Sequence, residues 1–151
     1  MKIGVVGLGL IGGSLFKRLA ELPEYEVIGI SRILTDIDNG SPDYTALKDC
    51  KLVFVCTPMK NVLNILDKLN KILSEDTIVT DVSSLKRFVS QKKYKFNFIP
   101  SHPMAGTEKS GWENSFSTLF DKAKWVITPL DGVIDDGFEV LEKVIEDIGA
   151  E

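Results

Sequence analysis

Lys2-Ile3-Gly4-Val5-Val6 runs directly into Gly7-Leu8-Gly9-Leu10-Ile11-Gly12-Gly13 and then into Ser14-Leu15-Phe16-Lys17-Arg18-Leu19-Ala20. An apolar, β-rich run, a glycine turn and a helical pattern follow one another without a gap. A βα turn that holds a dinucleotide needs that order. Gly7 permits the tight turn, Gly9 lets the backbone approach a pyrophosphate, and Gly12 lets the helix lie close on the strand. The free N–H groups of the first helical residues, Leu10 and Ile11 onward, then point at the phosphates. Glycine-rich turns also occur without a ligand, and the legible strand before and helix after favour cofactor binding here.

The remaining composition is that of an ordinary globular domain. A chain of 151 residues, 44% hydrophobic and 26% charged, is one domain by length and can bury a core. Net charge is −4, and the densest basic cluster, Lys92, Lys93 and Lys95, reads as a solvated helix end, so nucleic acid is not an expected partner. Two cysteines, Cys50 and Cys56, build no disulfide framework, and a single histidine excludes a Cys/His zinc site. A reduced, cytoplasmic setting fits that usage. The apolar start has four glycines before residue 13 and no small-residue cleavage site, which makes it a buried strand and no signal peptide. No stretch approaches the roughly 18 apolar residues of a membrane span, and no membrane partner is expected.

Outward from the glycine turn, the pattern predicts a strand at 3–6 and a helix at 11–22, with Leu15, Leu19 and Leu22 facing the sheet and Pro23 ending it. A second strand, 26–30, stops at Ser31-Arg32. Asp36, Asp38, Asn39-Gly40 and Ser41-Pro42 are turn formers, so the second crossover is expected to be short, with at most a small helix at 44–48. The continuous apolar run 52–56 suits a strand covered on both faces. A helix at 60–73, a strand at 77–80, a short helix at 85–91 and a strand at 96–99 follow. A loop then leads to a sixth strand, 124–128, and a last helix, 135–148, which buries Phe138, Leu141, Ile145 and Ile148 and stops at Gly149. Six strands alternating with helices predict an α/β fold, a doubly wound parallel sheet of the Rossmann type, in one cofactor-binding domain over 1–151. No second domain is expected within these residues.

Ligands of open α/β sheets bind outside the carboxyl ends of the strands, where the glycine turn, Ser31-Arg32, Thr57-Pro58, Ser83-Ser84 and Ser101-His102 all fall. About 20 residues past the glycine turn, NAD sites place an acid for the ribose hydroxyl and NADP sites supply arginine. Ser31 and Arg32 stand there, with no acid until Asp36. Charge-assisted hydrogen bonds contribute about 1.5–3 kcal/mol each, so NADP is expected over NAD, against Arg32 as a merely solvated charge. Thr57 is a further candidate cofactor contact. A lone histidine is more often a satisfied surface residue, yet His102 lies just past a strand, between Ser101 and Pro103, in a loop carrying Gly106 and Gly111, and is the candidate base. Ser84 suits a helix cap and a substrate contact equally. Trp112 and Phe116 read as core or as the anchor of a lid.

Three segments resemble the prephenate/arogenate dehydrogenase family of tyrosine biosynthesis: Gly7 to Gly13 with its helix, Asp81 to Lys86, and Ser101-His102-Pro103-Met104-Ala105-Gly106-Thr107-Glu108-Lys109-Ser110-Gly111. The glycine turn is common to many dehydrogenases, whereas the His-Pro-Met-Ala-Gly-Thr-Glu run is far more specific. The resemblance covers nearly the whole chain and only the family's nucleotide-binding domain. It implies oxidative decarboxylation of prephenate or arogenate to a 4-hydroxyphenyl product with reduction of NAD(P). It further implies His102 as acceptor of the substrate hydroxyl proton, Ser84 as its orienting partner, and Thr107 and Glu108 on the substrate side. Family members generally continue into a helical domain that forms a homodimer and supplies an arginine for the substrate carboxylate. This chain has no such segment, so it is expected to be an N-terminal domain or a truncated gene product that binds cofactor and is not active alone. The shortened stretch after Arg32 also departs from the pattern.

The same residues admit two rival functions. One is another NADP-dependent dehydrogenase of the β-hydroxyacid type, which relies on a lysine from a later helix. The other is a catalytically silent NADP-binding module, against which the intact Ser84 and His102 argue.

Overall fold

Strand β1 (Lys2–Val6) is central because its run of small and branched apolar residues can be covered from both sides, and four of its five residues are buried. The computed structural model describes every residue except Thr35, Leu85 and Val133. β1 pairs in parallel with β2 (Glu26–Ile30) on one side and β4 (Leu52–Val55) on the other. β3 (Gly40–Ser41) adds to β2, while β5 (Ile78–Asp81) and β6 (Asn97–Phe98) continue beyond β4. The resulting order, β3-β2-β1-β4-β5-β6, is a six-stranded parallel sheet. Its chain reversal falls between β1 and β4, the crevice where such sheets take their ligands.

Helices cover both faces. α1 (Leu10–Ala20) and α4 (Asp136–Asp147) pack on one face, where Leu15, Leu19, Leu141 and Ile145 meet Ile3, Val5 and Phe54. α2 (Met59–Asn70) lies on the other, burying Val62, Leu66 and Leu69 against Val53 and Val55. Asp135 starts α4 by accepting a hydrogen bond from the Phe138 amide at 3.0 Å, a side-chain cap of the usual kind. The helix expected from Leu85 has its first residue outside the described ones, and α3 spans Lys86–Val89. The second crossover is abbreviated as expected: among the described residues, β2 is followed before β4 only by β3 and a single 3₁₀ turn at Tyr44–Leu47.

One strand goes elsewhere than expected. The run at 124–128 does form β8 (Trp125–Ile127), but it pairs antiparallel with β7 (Ser101–Pro103) in a separate two-stranded sheet. The sixth place in the main sheet belongs to the two residues of β3. Pro100 follows β6 and has no N–H to extend its ladder, so the chain leaves the sheet there. Ser101 and His102, expected in a loop, are thereby strand residues. No helix among the described residues is long and apolar enough to cross a membrane.

Candidate active site

Gly7 makes the turn out of β1 with φ of 88°, a conformation glycine adopts without strain. Its amide still donates to the Ile30 carbonyl at 2.9 Å, tying the turn to the end of β2. A Cβ on Gly12 would lie 1.8 Å from the Gly7 carbonyl oxygen, so only glycine lets α1 approach this closely. Gly9 is the opposite case, with nothing within 4 Å of where its Cβ would be. It begins α1 with no side-chain cap, and the first turn holds no acid. By helix geometry the amides of Leu10, Ile11 and Gly12 have no partner within α1, and the positive end of the helix dipole faces the open space above Gly9.

On one flank, Ser31 accepts the Ile33 and Leu34 amides on its hydroxyl at 3.2 and 3.0 Å, which folds the chain back after β2 and leaves Arg32 exposed at the strand end. On the other flank, Thr57 follows β4 beside Gly7. Its hydroxyl oxygen is buried and has no hydrogen-bond partner among the described residues. A buried polar atom without a hydrogen-bond partner costs stability. The open space at Gly9, the uncapped helix start and the orphaned Thr57 hydroxyl fit an anionic dinucleotide lying across the turn. Between these flanks, desolvation and the Asp81 carboxylate push the half-buried Cys56 thiol up, which keeps it protonated and unreactive.

The next strand ends carry the candidate acid–base groups. His102, on β7, sets its Nδ1 3.0 Å from the Val82 carbonyl oxygen just past β5. A carbonyl only accepts, so Nδ1 carries the hydrogen and the neutral ring keeps its lone pair on Nε2. Ser101 holds the backbone beside it. Its fully buried hydroxyl lies 2.7 Å from Thr80 Oγ1, takes the Trp125 indole N–H at 2.9 Å and sits 3.2 Å from the Asp81 carbonyl. Ser84 is exposed two residues beyond Val82. Asp81 is completely buried and paired with Lys86, whose ammonium lies 2.9 Å from both carboxylate oxygens. Desolvation lowers the Lys86 pKa, and the Asp81 charge partly offsets it.

Thr107 and Glu108 are exposed on the segment that leaves β7, and the Thr107 hydroxyl accepts the Lys109 amide at 3.1 Å. That segment is fastened at its far end. Lys17 of α1 donates to the Ser115 carbonyl at 2.9 Å and stands 4.4 Å from the centre of the Trp112 ring, while Phe16 meets Trp112 edge-on. Ser14 accepts the Phe116 amide at 3.1 Å. Trp112 is thus an anchor, whereas Phe116 remains 41% exposed and belongs to no core.

Lys17, Ser101, Asp81 and Lys86 have no role that the residue pattern alone assigns. An acid as the last residue of an otherwise apolar strand, with lysine five positions on, was the available signal for the last two. The Val82 carbonyl carries no side-chain signal at all.

A glycine turn on a helix start, at the reversal point of a parallel sheet, defines a dinucleotide-binding α/β domain. Residues 29–151 match the family model described as prephenate dehydrogenase, nucleotide-binding domain, and the chain belongs to that family. It is 28% identical over 97% of its length to prephenate dehydrogenase of Bacillus subtilis, covering 44% of that protein. It superposes on Synechocystis arogenate dehydrogenase with a TM-score of 0.91 and 35% identity, over all of this chain and 58% of that one. A prephenate dehydrogenase from A. aeolicus, in complex with hydroxyphenyl propionate and NAD+, matches at TM-score 0.82 and 28% identity, again over 100% and 58% of the two chains. The chain therefore spans about half the length of these relatives.

Proposed function

We propose that this chain is the cofactor-binding part of a dehydrogenase that oxidatively decarboxylates prephenate or its amino analogue arogenate, with His102 as the base. The observation carrying this reading is the bond between His102 Nδ1 and the Val82 carbonyl, 3.0 Å long, which turns the lone pair of the neutral ring onto Nε2. A bound nicotinamide supplies the hydride acceptor. Gly7 and Gly12 shape the turn at which Gly9 and the amides of Leu10, Ile11 and Gly12 hold its pyrophosphate, Thr57 offers its unpartnered hydroxyl, and Ser31 and Arg32 take the 2′-phosphate of NADP in preference to NAD.

The ring carbon that gives up hydride carries a hydroxyl, which becomes a carbonyl and must shed its proton. Nε2 of His102 takes that proton, and Ser84 orients the hydroxyl. Loss of the ring carboxylate as CO2 then aromatises the ring, and the phenolic oxygen recovers a proton. Thr107 and Glu108 line the substrate side of the cleft. The complete reaction also needs a counter-charge for the substrate carboxylate, which the family resemblance assigns to an arginine of a helical domain.

The test is turnover of prephenate and arogenate by the full-length protein, beside 3-hydroxy acids, with the His102→Asn variant in parallel. A positioned base contributes about 10²–10⁴ in rate, and that loss is expected with NADP affinity unchanged. Equal loss of both would make His102 structural, and turnover of 3-hydroxy acids alone would move the protein to another dehydrogenase class.

A further inference from the structure

Asp81 is the one acidic or basic side chain among the described residues that is fully buried in the core. A buried carboxylate is costly unless it is paired and hydrogen-bonded, and this one is both. Lys86 reaches both oxygens at 2.9 Å, the Ser83 amide donates to Oδ2 at 3.1 Å, and the Ser83 hydroxyl donates to the same oxygen. Together these bonds close a turn over Val82 of the kind an Asp side chain makes with the amide two residues on. Val82 is held on its other side too, because its amide donates to the Val55 carbonyl of β4 at 3.2 Å. Its carbonyl is the group that receives Nδ1–H of His102. The direction of one peptide carbonyl thus depends on the Asp81 turn, and the protonation pattern of the imidazole depends on that carbonyl.

We infer that Asp81, braced by Lys86 and Ser83, is a positioning residue that aims the Val82 carbonyl and through it fixes the tautomer and ring plane of His102. An apolar pair of similar volume would fill the same space, but it would leave the 81–83 turn without the acceptor that bends it. The effect on turnover rests on the reading of His102 as base; the effect on tautomer does not.

His102 is the sole histidine of the chain, so nitrogen NMR of its ring gives a single-site readout. At a pH where the ring is neutral, the Nδ1–H form is expected to dominate in the unmodified 151-residue chain. Asp81→Asn keeps the size and an acceptor for Ser83 but removes the ion pair, and it is expected to shift the ring toward the Nε2–H form that free histidine favours. Should that variant not fold, Ser83→Ala removes one bond to Oδ2, leaves the ion pair, and is expected to shift the ratio the same way by less. In the full-length enzyme Asp81→Asn is expected to lower kcat about tenfold or more without changing the KM for NADP. The inference is overturned if the unmodified chain shows the Nε2–H form, or if the folded variant keeps the original ratio. A tautomer shift in a protein that turns over neither prephenate nor arogenate would support this inference and sink the proposed function.

Discussion

Gly12 and the Gly7 carbonyl oxygen are in such close contact that a methyl group on Gly12 would come within 1.8 Å of that oxygen, whereas one on Gly9 would meet nothing within 4 Å. The two glycines therefore serve different ends, one in packing the helix on the strand and one in leaving room above the turn. Gly12→Ala is expected to destabilise the fold by at least about 1–3 kcal/mol, the usual cost of overpacking, with or without ligand. Gly9→Ala is expected to leave the melting temperature of the free chain nearly unchanged and to remove most of the upward shift that NADP produces. Thermal melts of both variants, with and without NADP, check the contrast. Equal behaviour of the two would contradict it.

How much of this was legible beforehand follows from which groups make the contacts. The glycine turn, the helices and β1, β2, β4 and β5 announce themselves through apolar period and glycine spacing, because their side chains do the packing. β3 has two residues, Gly40 and Ser41, with no β-forming run, and it exists only through backbone bonds such as Ser31 N to the Ser41 carbonyl at 3.0 Å. The run that forms β8 is legible as a strand, but its partner is decided by Pro100 ending β6 and by the buried Ser101 hydroxyl meeting Trp125. At the site, His102 stood out as the sole imidazole, while its partner is a main-chain carbonyl that any residue could provide.

Arg32 is exposed at the end of β2 and forms no salt bridge among the described residues, so its guanidinium is available to a phosphate. Arg32→Ala is expected to weaken NADP binding tenfold to about a hundredfold, the worth of one or two charge-assisted hydrogen bonds, and to leave NAD binding within about twofold. Calorimetric titration of both cofactors into both proteins reads the difference. Unchanged NADP affinity would assign the 2′-phosphate to other residues.

Lys17 couples α1 to the segment that carries Thr107 and Glu108, through the Ser115 carbonyl at 2.9 Å and the face of Trp112 at 4.4 Å. Lys17→Met keeps the stem that packs beside Trp112 and removes the charge. A modest loss of about 1–2 kcal/mol is expected, from the charged hydrogen bond to the Ser115 carbonyl, a longer one to the Trp112 carbonyl and one cation–π contact. Hydrogen exchange should accelerate selectively at 112–116, whose amides include the Phe116 donor to Ser14. Uniform acceleration along α1 would mean that Lys17 supports the helix itself.

Tyr25 donates to the Asp147 carboxylate, joining the entry of β2 to the end of α4, and Lys143 reaches the same carboxylate at 2.8 Å. Burial above all, and then the bond to Asp147, raise the Tyr25 pKa well beyond the ordinary value. Burial works to raise the Asp147 pKa, but the hydrogen bonds from Lys143 and Tyr25 outweigh it and hold the carboxyl below its usual range. A raised tyrosine contributes stability that is complete below its unfolded pKa, near 10, and is lost as pH climbs through the folded value. A depressed carboxyl contributes stability present above its unfolded pKa, near 4, and lost as pH falls through the folded value. Tyr25→Phe is therefore expected to cost about 1 kcal/mol near neutrality, discounted for partial solvent screening, and to flatten the decline in stability above about pH 10. Tyr44 and Tyr94, whose pKa values burial also raises, keep part of that decline in the variant. Urea midpoints taken from about pH 7 to 11 measure both effects, and an alkaline slope identical in the two proteins would remove Tyr25 from the account.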